Sequence, residues 1–218
     1  MEIFISIDGV LRNTIQKFDY HYNESYLADD VELEEDNTFE YGVVEPIQND
    51  NLLNSYKFES KDEFEFFLFM EYPIEIFGHA GLSYSTTFTD LHKLLYENQE
   101  HNFTLIGLDE LGKAKPATLF FLSKNGFLGN NITFSKSDDI NKLWDKCDAW
   151  ITDNKQIIDL CPDEKTAIKF NTTYNQYFTY KKEISKLTEI QESWSNYSEK
   201  TTTSISMELQ KNVEQDTQ

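Results

Sequence analysis

The chain has 218 residues, enough for one domain or for one domain with a sizeable insertion. Hydrophobic residues at 39% and aromatics at 15% can build a real core, which excludes a wholly disordered chain. Against 39 Asp and Glu stand only 19 Lys and Arg, and the resulting charge of −20 repels nucleic-acid phosphates and anionic membranes.

The first predicted element is an apolar strand, "EIFISI", over residues 2–7. A helix is expected over 10–22. From about 24 to 88 the regular pattern breaks. The stretch 29–40 is acidic and reads as an exposed loop. Ser60 is placed to cap a helix, with Glu63 three residues on completing a capping box. Phe64, Phe67, Leu68 and Glu71 follow at helical spacing, and the apolar three read as core. A Gly/Ser-rich loop over 78–87 carries His79, read as a surface histidine. A helix over 90–98 leads back to regular structure.

The second half alternates clearly. Residues 102–108, "NFTLIGL", are rich in apolar and β-branched side chains and predict a buried strand. A helix follows with Pro116 in its first turn and Gly126 near its end. Then come a strand over 130–136, a helix over 137–147 with Ser137 as its cap, and a strand over 148–153. A short helix over 154–161 is stopped by Pro162, and a last strand covers 165–171. A helix is expected over 181–194, and a polar, disordered tail from Ser198.

Strands alternating with helices of about ten residues imply an α/β fold. The expectation is a Rossmann-like, mostly parallel sheet of about five strands with a mostly helical insertion after the first strand. This divides the chain into a core of 1–23 and 89–197, an insertion of 24–88 and a tail of 198–218. Cys147 and Cys161 are too far apart for a CxxC metal site and read as reduced core thiols. No stretch approaches the roughly 20 apolar residues of a membrane span. With no basic n-region at the start, the expected location is cytoplasmic, in a bacterium or a phage-infected cell.

Ser6-Ile7-Asp8-Gly9-Val10 closes the first strand, Gly107 lies near the end of another, lysines follow it, and Thr152-Asp153 closes a third. This order resembles the haloacid dehalogenase superfamily of aspartyl-phosphate phosphatases and nucleotidases. The resemblance covers roughly residues 1–22 and 90–170. There the first strand ends in Asp-x-Asp-Gly-[Thr/Val], the first aspartate attacking phosphorus and the second protonating the leaving group. The resemblance implies that Ser6 takes the nucleophile position and Asp8 the acid position. Gly107 takes the place of a phosphate-holding Ser or Thr, with its N–H but no hydroxyl. Lys113, Lys115 or Lys124 would be the cation, and Asp153 the Mg²⁺ carboxylate, helped by Asp8. The insertion would correspond to a cap.

Phosphoryl transfer needs an in-line nucleophile, a cation at the equatorial oxygens and a positioned acid. A serine hydroxyl without a base is a poor nucleophile, and Ser6 takes one carboxylate out of the Mg²⁺ shell, so metal binding is weakened or lost. The expectation is a catalytically impaired relative, kept to bind a phosphorylated small molecule or a protein partner. The alternatives are a Mg²⁺-dependent phosphatase or 5'-nucleotidase-like hydrolase, and a virion structural or assembly protein. The plainer readings are that Asp8-Gly9 is only a strand-to-helix turn and that Asp153-Asn154 only caps a helix. "IDGVLRN", "KPATLFFLSKNGF" and the acidic composition also resemble uncharacterised proteins of large tailed bacteriophages of marine bacteria.

Overall fold

The computed structural model describes residues 1–28, 39–48 and 52–190. The predicted acidic loop falls almost wholly outside these residues, and the predicted tail entirely so. The first half contains β1 (Glu2–Ser6), β2 (Arg12–Asn13), α1 (Thr14–Tyr22), α2 (Leu52–Ser55), α3 (Lys61–Phe66), β3 (Gly81–Leu82) and α4 (Thr87–Glu97). The second contains β4 (Asn102–Leu108), α5 (Lys115–Lys124), β5 (Ile132–Ser135), α6 (Ile140–Trp144), β6 (Ala149–Thr152), α7 (Lys155–Asp159), β7 (Thr166–Phe170) and β8 (Glu183–Ile184). Among the described residues, π-helical turns at Asn23–Leu27, Phe67–Glu71 and Ile74–Gly78 interrupt the first half.

Six strands form one parallel sheet in the order β5-β4-β1-β6-β7-β8. Counted along the chain that order is 3-2-1-4-5-6, the doubly wound, Rossmann-like arrangement. Strands buried on both faces need mostly apolar side chains, which is why β1, β6 and β7 read as near-continuous apolar runs. Alternate residues divide between two cores. Ile3, Ile5, Leu105 and Ile151 meet Leu91 of α4 and Phe121 of α5 on one face. Phe4, Ile106 and Trp150 meet Leu143 and Trp144 of α6 on the other. No helix among the described residues is long and apolar enough to cross a membrane.

A third apolar cluster sits above the carboxyl ends of the strands. Phe18 and Tyr22 of α1 pack there with Tyr56, Phe58, Phe67 and Ile76. Phe18 meets two of the rings edge-on, with centroids 4.7 Å from Tyr56 and 5.4 Å from Phe67. The predicted Ser60 cap is present, its hydroxyl accepting from the Glu63 N–H at 3.1 Å. Phe67 and Leu68 are buried in this cluster, with Phe64 packed against it.

Three local expectations are corrected. The first helix starts at Thr14, not residue 10, because Arg12 and Asn13 are drawn into antiparallel pairing with Leu82 and Gly81, and the Asn13 side chain then caps α1. Ser137 is no helix cap, since its N–H and hydroxyl both donate to Glu110 and residues 137–139 form a 3-10 turn. In the predicted helix 181–194, residues 183–184 form the sixth strand, paired with Lys169 and Phe170, and 187–189 a 3-10 turn. A free β7 edge outweighs the helical propensity of that segment.

Candidate functional site

In an open α/β sheet, ligands bind outside the carboxyl ends of the strands, where the strand order reverses. Here the reversal lies between β1 and β6, whose last residues are Ser6 and Thr152. A cleft of about 1090 Å³ opens at that point. Ser6, Asp8, Thr152, Asp153 and Lys169 line its floor. Lys61, Phe64, Leu68 and Phe77, from the 24–88 segment, line the facing wall.

Ser6 is buried on the same sheet face as Phe4 and Trp150. Its hydroxyl donates to Thr152 Oγ1 at 2.9 Å and accepts from the Trp150 indole N–H at 3.0 Å. Thr152 Oγ1 also accepts from the Asn154 N–H at 3.2 Å. The Ser6 proton is therefore directed at a neutral hydroxyl, and neither partner is a base.

Asp8 is held by three hydrogen bonds from two residues. Arg12 donates Nε to Oδ1 at 2.7 Å and Nη2 to Oδ2 at 3.0 Å, a bidentate pair. The Thr14 hydroxyl also donates to Oδ1. Arg12 itself is only 1% exposed. Its Nη1 donates to the Phe77 carbonyl at 2.9 Å and to Thr118 Oγ1 at 3.0 Å, and its guanidinium lies 4.9 Å from the Phe77 ring. Arg12 so ties the loop after β1 to the 24–88 segment and to α5.

Asp153 packs against Gly9. A Cβ on Gly9 would lie 1.8–2.2 Å from the Asp153 carboxylate, and Gly9 has φ +74°, so both space and backbone require glycine there. Asn154, not Asp153, caps α7, accepting from the Ile157 N–H at 3.2 Å. The buried Asn175 side chain fixes the turn by donating to the carbonyls of Asp153 and Phe170.

Gly107 lies one residue from the end of β4 but faces away from the cleft. A Cβ there would meet the Phe134 ring at 3.0 Å and Ile7 at 3.6 Å, on the sheet face opposite Ser6. A hydroxyl at 107 would not reach a ligand in the cleft. The three candidate lysines also lie elsewhere. The backbone N–H groups of Lys113 and Lys115 donate to Asp109, closing the loop after β4. The Lys115 ammonium sits 5.4 Å from the Phe134 ring. Lys124 donates to the Gly78 carbonyl at 3.2 Å. His79 rests against Phe120, with ring centroids 5.3 Å apart.

The cations that do reach the cleft are Lys61 and Lys169. Lys61 pairs with Glu65 at 3.1 Å, and Lys169, almost fully buried, with Glu183 at 3.3 Å. Sequence reasoning passed over Lys169, although a lysine inside the apolar strand "TAIKF" is itself a signal. Arg12 was missed too, at four residues from Asp8.

Of the two carboxylates expected at Mg²⁺, Asp8 is engaged by its own chain and Asp153 lines the cleft beside Gly9. That ion usually takes one or two carboxylates plus substrate phosphates in octahedral geometry. Both Asp8 oxygens are engaged by Arg12 and Thr14, and Ser6 offers a hydroxyl already engaged twice. No group of three or more His, Cys, Asp or Glu that could hold a metal occurs among the described residues.

Fold and cleft together define a Rossmann-like α/β protein with a crevice at its topological switch point. No protein-family model matches the chain, and no curated protein matches it.

Proposed function

We propose that this protein is a binding scaffold with the layout of a phosphohydrolase and without its turnover. The observation that carries the reading is the state of Ser6 and Asp8. The hydroxyl has no base, and the carboxylate has both oxygens engaged by a buried arginine. A nucleophile and an acid must both be free to act on a substrate.

Between the two ligands expected from the sequence, a phosphorylated small molecule and a protein partner, the charge of the cleft favours the protein. Among the described residues, Asp8, Glu65, Glu110, Asp138, Asp153 and Glu183 line the cleft; Arg12, Lys61 and Lys169 offset three of them and leave negative charge in excess. Such a wall repels a phosphate more than it attracts one.

The test is an aryl-phosphatase assay with Mg²⁺, beside thermal shift with millimolar inorganic phosphate and a nucleoside monophosphate. The expected result is no turnover above buffer and no shift. Mg²⁺-dependent turnover that disappears in Asp8→Asn would instead establish a working phosphatase using a serine variant of the motif. A clear shift with phosphate, without turnover, would restore the phosphorylated ligand.

A further inference from the structure

The helical run from Lys61 to Glu71 has two apolar faces where folding needs one. The inner face is satisfied, with Phe67 and Leu68 buried among the rings of Phe18, Tyr22 and Phe58. The outer face carries Phe66 and Met70, one turn apart, at 57% and 51% exposure. Ile74, at 42%, opens the π turn that follows. The stripe then crosses to α5 through Gly78. A Cβ on Gly78 would meet the Phe120 ring at 3.1 Å and Ile74 Cγ2 at 3.7 Å, so the two side chains converge on that glycine. Phe120 is 44% exposed.

Single exposed apolar residues are ordinary, whereas a run of large ones rimmed by polar groups marks an interaction site. The rim here is acidic. Asp62 and Glu71 are exposed, and Glu75 is half-buried. Two lysines beside the face are engaged by their own chain, Lys61 by Glu65 and Lys124 by the Gly78 carbonyl and the Phe120 face. A second copy of this chain, also at −20, would be repelled from such a surface. The complementary occupant has apolar anchors one helical turn apart with Lys or Arg beside them. Methionine and phenylalanine, pliable and broad, suit a helix laid along the face.

We infer that the outer face of Phe66, Met70 and Ile74, continued by Phe120, docks a basic amphipathic helix of a partner protein. The inference rests on the scaffold reading and names the class of partner.

The test uses the full chain and labelled peptides of about 18 residues, five turns of helix. One contains only Leu and Lys with the leucines on one face, and the other has the same composition shuffled to leave no apolar face. By fluorescence anisotropy the amphipathic peptide should bind at least about tenfold tighter than the shuffled one, a difference of 1.4 kcal/mol. Met70→Ser and Phe66→Ser, both exposed and so compatible with folding, should each remove most of that preference. Equal affinity for the two peptides would reduce the effect to bulk charge and overturn the inference. So would unchanged binding in both variants, or a stripe-dependent homodimer in sedimentation. The phosphatase assay on the same preparations reads the scaffold proposal separately. Turnover refutes the scaffold, and a lost peptide preference without turnover refutes only the docking face.

Discussion

Replacing Arg12 by methionine tests the clamp on Asp8 directly. The substitution keeps most of the aliphatic volume between Phe77 and Phe121 and removes four hydrogen bonds, two to Asp8 and one each to the Phe77 carbonyl and Thr118. Breaking a buried ion pair from one side costs about 3–5 kcal/mol, because the abandoned charge is left without its partner. The Asp8 side chain is 36% exposed and regains part of its hydration, which places the expected loss near the lower end, at about 3 kcal/mol. For a chain of this size that corresponds to a fall in melting temperature of roughly 6–12 °C. Urea unfolding followed by circular dichroism gives the free energy, and a double-mutant cycle with Asp8→Leu gives the coupling. A coupling above about 1 kcal/mol is expected for groups in direct contact. A loss below about 1 kcal/mol with no coupling is the behaviour of an exposed surface pair. That result would mean Asp8 is not held as described and that its oxygens are open to substrate or metal.

Gly9→Ala and Gly112→Ala share a positive φ, but only the first Cβ strikes another group, the Asp153 carboxylate, while the second meets open space. Gly112→Ala should cost about 1–2 kcal/mol and Gly9→Ala clearly more, read as the difference between their melting temperatures. Ser6→Asp should not produce turnover by itself, because Asp8 stays clamped by Arg12 and the new carboxylate is met by Trp150 and Thr152; measurable Mg²⁺-dependent phosphatase activity in that variant would contradict the clamp. Burial pushes the Cys147 thiol up to about 12 from an ordinary value of 9.0. The unfolded thiol releases its proton first, so this contribution is complete below about pH 9 and is lost as pH rises toward 12, and Tyr56 and Tyr84, also raised by burial, act in the same direction above pH 10. Stability should fall steadily with pH above 9, and Cys147 should resist alkylation at pH 8 until the chain unfolds.

Several elements were legible because the interactions that make them are local or leave a dense local trace. Residues 102–108 coincide with β4, and 148–153 and 165–171 contain β6 and β7, since strands covered on both faces are mostly apolar. The Ser60 cap, the proline-led α5 and the alternation that makes the fold α/β are likewise written in adjacent residues. The tertiary structure alone decided what distant residues do to one another. The face on which Gly107 lies follows from its pairing with Phe134 across a parallel register, which no spacing within β4 reveals. Glu183 and Ile184 became a strand because β7 offered them an open edge. Lys169 entered the cleft because β7 lies two places from β1 in the sheet, and Lys113, Lys115 and Lys124 were turned to a loop, a ring and a carbonyl elsewhere. The fate of Asp8 was the least legible of all. Arg12 stands only four residues away, but it is held by the Phe77 carbonyl and the Thr118 hydroxyl, 65 and 106 residues along the chain. A charge in water would be free to turn elsewhere; one buried by the fold must stay with the acceptors the fold supplies.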